Sequence, residues 1–319
     1  MRVLVTGADG FVGAWLCHRL VTRGDEVWGT HRAGGPSPAP RGVPAAPGLR
    51  WLAMELASDA DVRGVSEGRY DAVIHLAGMA SGAEARRMPA EAWAVNAAGT
   101  ARVLEALAAV RQRGLGDPLV LVISTGEVYG RGEARPRAEE DAAAPCSPYA
   151  ASKVGAEVAA LEVARRTGLR VVVARPFAHT GPGQRTEFVV AALAARLREA
   201  AARPGPLPRL IRTGRMDITR DFLDVRDVVE AYLGLVAAGE PGTTYNVASG
   251  TGHSLDSIFA RLAALVGIDA APEQDASLVR TADIDHLVGN PDRLHSRTGW
   301  CPRISFDQTL QDLLNAEAH

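Results

Sequence analysis

The sequence predicts an α/β protein: a doubly wound, mostly parallel sheet followed by a smaller C-terminal α+β lobe. Three observations predict it. Over residues 2–175, short apolar runs alternate with longer helical patterns, the rhythm of a parallel sheet covered on both faces. The first apolar run enters a helix through a glycine-rich turn at Gly7, Gly10 and Gly13. After Pro176 the alternation gives way to helices separated by short, less regular strands.

The predicted strands of the first part are Arg2–Thr6, Glu26–Gly29, Arg50–Met54, Ala72–Leu76, Leu119–Ser124 and Arg170–Ala174, with helices near 11–23, 91–113 and 149–167. Ala33–Gly48 carries five Pro and four Gly, so it reads as a surface loop and not a crossover helix. Beyond 176 the pattern predicts helices near 187–202, 225–238, 255–266 and 307–315, and strands near 209–212, 220–223 and 243–247. We therefore expect a nucleotide-binding domain over 1–175 and a second lobe over 176–319, with the chain free to cross back.

Charge and composition exclude several classes. The 35 basic and 37 acidic residues are interleaved, giving a formal net charge of -2. Without a basic face, neither nucleic acid nor an anionic membrane is an expected partner. Apolar runs such as Leu119 to Ile123 are too short to span a bilayer. With the first strand at Arg2, no signal peptide is expected, and a cytoplasmic location follows as an expectation. Cys17, Cys146 and Cys301 match neither a disulfide framework nor a metal site. Of the 35 basic residues, 34 are Arg and one is Lys, Lys153. In a chain drifted so far toward Arg, a surviving Lys marks a place where charge alone does not suffice.

Gly7-Ala8-Asp9-Gly10-Phe11-Val12-Gly13 sits between a strand and a helix, the setting of a Rossmann-type dinucleotide site. There, glycines make the tight turn and backbone N–H groups approach a pyrophosphate at the helix N-terminus. The second strand ends in Thr30-His31-Arg32, with no carboxylate to take a ribose hydroxyl. Arg32, helped by Thr30, is the expected clamp for the 2′-phosphate of NADP(H), with NAD(H) as the alternative.

Tyr149 and Lys153 form a YxxxK pair one helical turn apart. A phenol titrates near roughly 10, and an adjacent ammonium together with an oxidised nicotinamide favours its phenolate. Such a Tyr can exchange a proton with a hydroxyl or carbonyl. Lys supplies a compact cation that the planar Arg fork does not reproduce. Thr125, at the end of the fifth strand, is the expected hydrogen-bond partner of the reacting oxygen.

These residues carry a resemblance to the extended short-chain dehydrogenase/reductases that act on nucleotide sugars. It rests on TGADGFVG at the start, VIHLAG at 73–78, VNAAGT at 95–100, STGEVYG at 124–130 and YAASK at 149–153. RPFAHTGPGQ at 175–184, RDFLDVRDV at 220–228 and YNVASG at 245–250 extend it over nearly the whole chain. The segments after 175 are most similar to the branch holding GDP-mannose dehydratases and GDP-4-keto-6-deoxymannose reductases. The resemblance implies that Ala77, Asn96 and Pro176 line the cofactor and that Glu55 and Leu56 flank its adenine; Ser124, beside Thr125, is also expected at the cofactor. It places Met79, Ser81 and Glu127 at the sugar, and His179, in the loop after the sixth strand, is expected to face the same cleft. Phe188, Val189, Arg220 and Arg280 would hold the nucleotide, the arginines on its diphosphate. Ala178 stands where the family pattern has Asn. Gly126 stands where thymidine-type 4,6-dehydratases carry Asp.

A 4,6-dehydratase has to move protons at C5 and C6 and wants carboxyl groups beside the Thr; Glu127 is one, and Gly126 supplies none. A 4-ketoreductase needs least: NADPH, Tyr149 as proton donor, Thr125 to polarise the carbonyl and Lys153 for electrostatic support. Reduction of an NDP-4-keto-6-deoxyhexose is therefore the expected reaction, with a GDP-mannose-type dehydratase and a 4-epimerase as alternatives. A non-catalytic dinucleotide sensor on the same fold is the reading from a different class. The small residues Ala97, Ala98, Ala101, Ala151, Gly155, Ala156 and Ala159 suit a homodimer through helices 91–113 and 149–167. His75, in an apolar strand, reads as a satisfied interior histidine.

Overall fold

A computed structural model describes residues 1–279 and 284–317 of the chain. Its first half holds strands β1 (Arg2–Thr6), β2 (Glu26–His31), β3 (Arg50–Ala53), β4 (Ala72–His75), β5 (Leu119–Ile123) and β6 (Arg170–Pro176). Between them run helices α1 (Phe11–Thr22), α2 (Asp59–Ser66), α3 (Gly82–Arg87), α4 (Pro89–Trp93), α5 (Gly99–Gln112) and α6 (Pro148–Thr167). The second half adds strands β7 (Ala178–Thr180), β8 (Arg209–Thr213), β9 (Thr219–Asp224), β10 (Thr244–Val247), β11 (Gly252–Ser254), β12 (Ala270–Gln274) and β13 (His286–Leu287). Its helices are α7 (Val189–Ala201), α8 (Val225–Ala238), α9 (Leu255–Val266), α10 (Asp292–Thr298) and α11 (Phe306–Glu317).

The large sheet has seven strands in the order β10-β6-β5-β4-β1-β2-β3, all paired in parallel. Its central strands are apolar at nearly every position because both faces are covered: β4 and β5 are buried throughout. One face packs on α1 and α8, burying Leu16, Leu20, Val228 and Leu235; the other packs on α2, α5 and α6, burying Val62, Leu104, Leu107 and Val163. Each such side chain contributes roughly 1.5–3 kcal/mol on leaving water.

β10 extends the large sheet beside β6, and α8 covers its first face, so residues 225–247 pack into the large sheet although they follow Pro176. The remaining segments after 176 build the lobe around Val190, Leu193, Ile211, Phe222, Ile258, Phe259 and Leu310. No helix among the described residues is long and apolar enough to cross a membrane.

The helix expected over 91–113 is interrupted. Residues Ala94–Ala98 form a π-turn between α4 and α5, a feature that often re-aims a side chain at a site. Here it turns Asn96 inward, 1% exposed. The small residues of α6 serve partly within the chain: a Cβ on Gly155 would lie 2.7 Å from the Trp93 ring and 3.0 Å from Ala97 Cβ. Ala156 is buried. On the outer surface of these helices Ala98 and Val158 stay exposed.

Candidate active site

The cofactor cradle follows from three glycines. Gly7 adopts φ 69°, and a Cβ on Gly13 would sit 2.2 Å from Gly7 O and 2.8 Å from Ala8 Cα. The loop can therefore fold against α1 only with glycine at both positions. Gly10 caps α1 in extended backbone, with no side chain bonding the first-turn N–H groups and no acidic residue there. Those open N–H groups fit a pyrophosphate. Val12 packs against the core, Asp9 Oδ2 accepts from Ser37 N at 3.2 Å, and Phe11 stacks on His179 with ring centroids 6.3 Å apart. The last contact joins the glycine loop to the lobe.

Thr30 does not share the outer face with Arg32. It is 2% exposed, and its Oγ1 accepts from Gly7 N at 3.2 Å, so it braces the glycine turn from below. Arg32, one residue past the end of β2, is exposed. Glu55 Oε1 accepts from Ala33 N at 2.9 Å and tethers the chain just beyond Arg32. Leu56 lies in the core beside Gly99, only 9% exposed.

The end of β4 is arranged by a neutral histidine. Thr100 Oγ1 donates to Asn96 O at 2.6 Å, so His75 Nε2 must donate to Thr100 Oγ1 at 3.1 Å. His75 Nδ1 then accepts from Thr6 Oγ1 at 2.8 Å, while that oxygen accepts from Ala77 N at 3.1 Å. Burial, with a smaller contribution from the Lys153 charge, lowers the imidazole to about 3. It is the satisfied interior histidine expected of it. Asn96 is equally committed: Nδ2 donates to Met79 O at 3.1 Å and to Ser152 Oγ at 2.9 Å, and Oδ1 accepts from Met79 N at 2.8 Å. Met79 is buried with Ala85 and Ala92 in a small cluster against which Tyr149 packs.

Tyr149 and Lys153 stand on one face of α6, whose N-cap is Ser147. The Tyr149 hydroxyl faces the Thr125 side chain, which draws its titration down, and Thr125 Oγ1 accepts from Glu127 N at 3.2 Å. Thr125, Tyr149, Lys153 and Glu127 are thus brought together from the end of β5 and the start of α6. Burial first, then the Glu127 carboxylate, pushes the phenol above its ordinary value; the Thr125 side chain acts in the opposite sense. In the absence of a cofactor, this shift favours the protonated phenol. Lys153 Nζ donates to Ile123 O at 2.8 Å. Burial lowers Lys153 to about 8, with Glu157 opposing the fall.

The other expected residues are held by contacts within the chain. Ser124 turns its hydroxyl away from the cleft and donates it to Glu157 Oε1. Ser81 Oγ caps α3 by accepting from Glu84 N at 3.2 Å. His179 Nδ1 donates to Phe177 O at 3.0 Å, and burial lowers its titration. Phe188 is the N-cap of α7, Val189 packs into the lobe core, and Pro176 ends β6 in register with Val247. Arg220 Nη1 donates to Thr219 O at 2.9 Å and Ile284 O at 2.5 Å. Arg280 lies outside the described residues. A Cβ on Gly126 would lie 3.0 Å from the Phe177 ring, so that ring already fills the space an Asp there would need.

Two groups escaped the sequence reading. Asp221, fully buried, accepts from Ser249 N and Oγ, Gly250 N and Gly289 N, tying three segments of the lobe together. Glu157 and Arg175 form a buried ion pair behind Lys153. The signal for Glu157 was present, since it continues the Tyr149–Lys153 spacing by one more turn.

Glycine cradle, Tyr–Lys pair and strand-end Thr on a doubly wound sheet define an extended short-chain dehydrogenase/reductase. Comparison with known proteins narrows the class. The chain belongs to the GDP-mannose 4,6-dehydratase family, whose sequence profile matches residues 4–313. It is 37% identical over 316 residues to GDP-6-deoxy-D-mannose reductase of Pseudomonas aeruginosa, spanning 98% of this chain and 96% of that one. The structure of RMD from Pseudomonas aeruginosa complexed with NADPH superposes with a TM-score of 0.80 at 34% identity, covering 99% of this chain and 98% of that one. UDP-glucose 4-epimerase of Thermotoga maritima, solved with UDP-glucose, gives a TM-score of 0.87 at 25% identity, covering 100% and 99%.

Proposed function

We propose that the protein is an NADPH-dependent 4-ketoreductase that converts a nucleoside-diphosphate 4-keto-6-deoxyhexose to the 6-deoxyhexose. The observation that carries this reading is the end-to-end likeness to a GDP-6-deoxy-D-mannose reductase, which also favours a guanosine nucleotide. A nicotinamide bound along the glycine cradle would supply the hydride. Thr125 orients and polarises the keto oxygen, and Tyr149 passes it the phenolic proton. A phenol whose proton is held above the ordinary value suits that direction, because it stays protonated until the oxygen becomes basic. Lys153, as an ammonium, stabilises the phenolate left behind. Met79, Ser81, His179 and Glu127 would face the sugar, and Phe188, Val189, Arg220 and Arg280 the nucleotide.

The test is incubation with NADPH and a panel of nucleotide 4-keto-6-deoxyhexoses, following loss of nicotinamide absorbance. Stoichiometric NADPH oxidation is expected. Loss of water from a parent NDP-hexose, without net cofactor consumption, would instead establish the dehydratase. That second reading is favoured by one observation, the Glu127 carboxylate acting on Tyr149.

Arg32, exposed at the end of β2, is the proposed 2′-phosphate contact. A charge-assisted contact of about 1.5–3 kcal/mol corresponds to roughly a 10- to 100-fold change in affinity. Arg32→Ala should weaken NADPH binding by that factor in a fluorescence titration and leave NADH binding unchanged. Equal losses for both cofactors would refute the assignment.

The proposal extends to a homodimer through the helices at 91–113 and 149–167. Trp93 (47%) and Val158 (62%) are exposed apolar side chains on α4 and α6, which a second copy would cover. Val158→Glu should convert a dimer to a monomer in light scattering coupled to gel filtration. A monomeric wild type would end this part of the proposal.

A further inference from the structure

Behind Lys153 lies a run of buried polar groups that the proton-transfer chemistry does not use. Glu157 sits one turn beyond Lys153 on α6 and is 5% exposed. Arg175, at the end of β6, grips it with both arms, Nε to Oε1 at 3.0 Å and Nη2 to Oε2 at 2.7 Å. Arg175 Nη1 donates onward to Tyr129 OH at 2.9 Å, and Tyr129 OH donates to Asn246 Oδ1 at 2.7 Å. The acceptors of Glu157 are completed by the Ser124 hydroxyl.

This arrangement touches the site at two consecutive residues. Lys153 Nζ holds Ile123 O, and Glu157 holds Ser124 Oγ, so side chains one helical turn apart fasten the end of β5 immediately before Thr125. The same strand end is fixed from the other side, where Ser124 N donates to Ala174 O at 2.8 Å, next to Arg175. Lys153 is 8% exposed and has lost most of its water. The charged and titratable groups around it are Glu157 on its own helix, neutral His75 from β4, Tyr149 with Glu127 beyond it, and Arg175 from β6 on the far side of Glu157. Glu157 is the charge that favours the ammonium, beside the hydrogen bond Lys153 Nζ donates to Ile123 O.

We propose that Glu157, locked in place by Arg175, is a positioning residue of the site: it anchors Ser124, and hence Thr125, and is the counter-charge that keeps Lys153 an ammonium. Its consequence for turnover rests on the ketoreductase reading; its effect on Lys153 does not. The ammonium is the working form, so activity should fall as pH rises through about 8, where Lys153 titrates. Removing the carboxylate moves that loss to lower pH.

The sequence supplies a direct readout, because Lys153 is its one lysine. Protein labelled with [13Cε]lysine gives one side-chain resonance, whose shift against pH follows Lys153 without substrate. The midpoint should fall by about one pH unit or more in Glu157→Gln. It should fall by less in Glu157→Gln/Arg175→Met, which removes both charges, keeps similar volumes and leaves no unpaired buried cation. Glu157→Asp should restore a midpoint near that of the wild type. The alkaline limb of kcat for keto-sugar reduction should move with the resonance, while KM for the sugar stays within about twofold. An unchanged midpoint in either folded Gln variant would overturn the proposal. Absence of NADPH consumption by the wild type on every keto sugar would sink the reductase reading and leave the resonance to judge Glu157.

Discussion

Tyr149→Phe should lower kcat for keto-sugar reduction by about 10²–10⁴-fold, the usual contribution of a positioned acid. In the proposed reaction the phenol, beside Thr125, passes the proton to the keto oxygen. The ring itself packs against the cluster of Met79, Ala85 and Ala92 and is retained by Phe. The fold and the cradle should therefore survive, with NADPH affinity within about twofold in a fluorescence titration. Loss of binding together with turnover would mean that the hydroxyl holds the site open and is no acid. Retention of most of the turnover would remove Tyr149 from the chemistry.

Gly13→Ala should nearly abolish cofactor binding. Its Cβ would meet Gly7 O at 2.2 Å and the Ala8 backbone at 2.8–2.9 Å; no flexible side chain is there to yield. The turn must open, the N-terminus of α1 shifts, and the N–H groups under Gly10 no longer converge on a pyrophosphate. We expect a loss of at least about 100-fold in NADPH affinity, or about 2.7 kcal/mol, measured by calorimetric titration. Gly24→Ala is the control: a Cβ there meets nothing within 4 Å, so any cost comes from its positive φ and should leave affinity alone. Unchanged binding in Gly13→Ala would dismiss the cradle.

What could be read from the residues alone was whatever is local or repeated. The six strands of the first half were legible because each is a short apolar run bounded by polar turns, buried on both sides once the sheet forms. Tyr149 and Lys153 were legible because their spacing brings them together in any helix, and the glycine loop because strand and helix flank it. The π-turn at Ala94–Ala98 was not, since it arises from Asn96 bonding Met79 and Ser152, partners that only the folded chain brings near. Thr30 misled for a related reason. Its place beside Arg32 at the strand end suggested a shared ligand, yet the glycine turn folds over it and takes its hydroxyl. Ser124 likewise looked like part of the cleft and is claimed by Glu157, whose own partner Arg175 comes from the next strand. The short strands of the lobe, such as β7, β11 and β13, carry too few residues for a periodicity to emerge.

The return of β10 to the large sheet makes the two halves one folding unit. A fragment ending at Pro176 would leave β6 as a bare edge and uncover the face that α8 protects, which invites association with other chains. The nucleotide-binding half cannot be excised by truncation. A circular permutant, a split reporter or an inserted tag has to open the chain elsewhere, and the mostly exposed Pro- and Gly-rich loop between β2 and β3 is one segment where a cut leaves every strand whole.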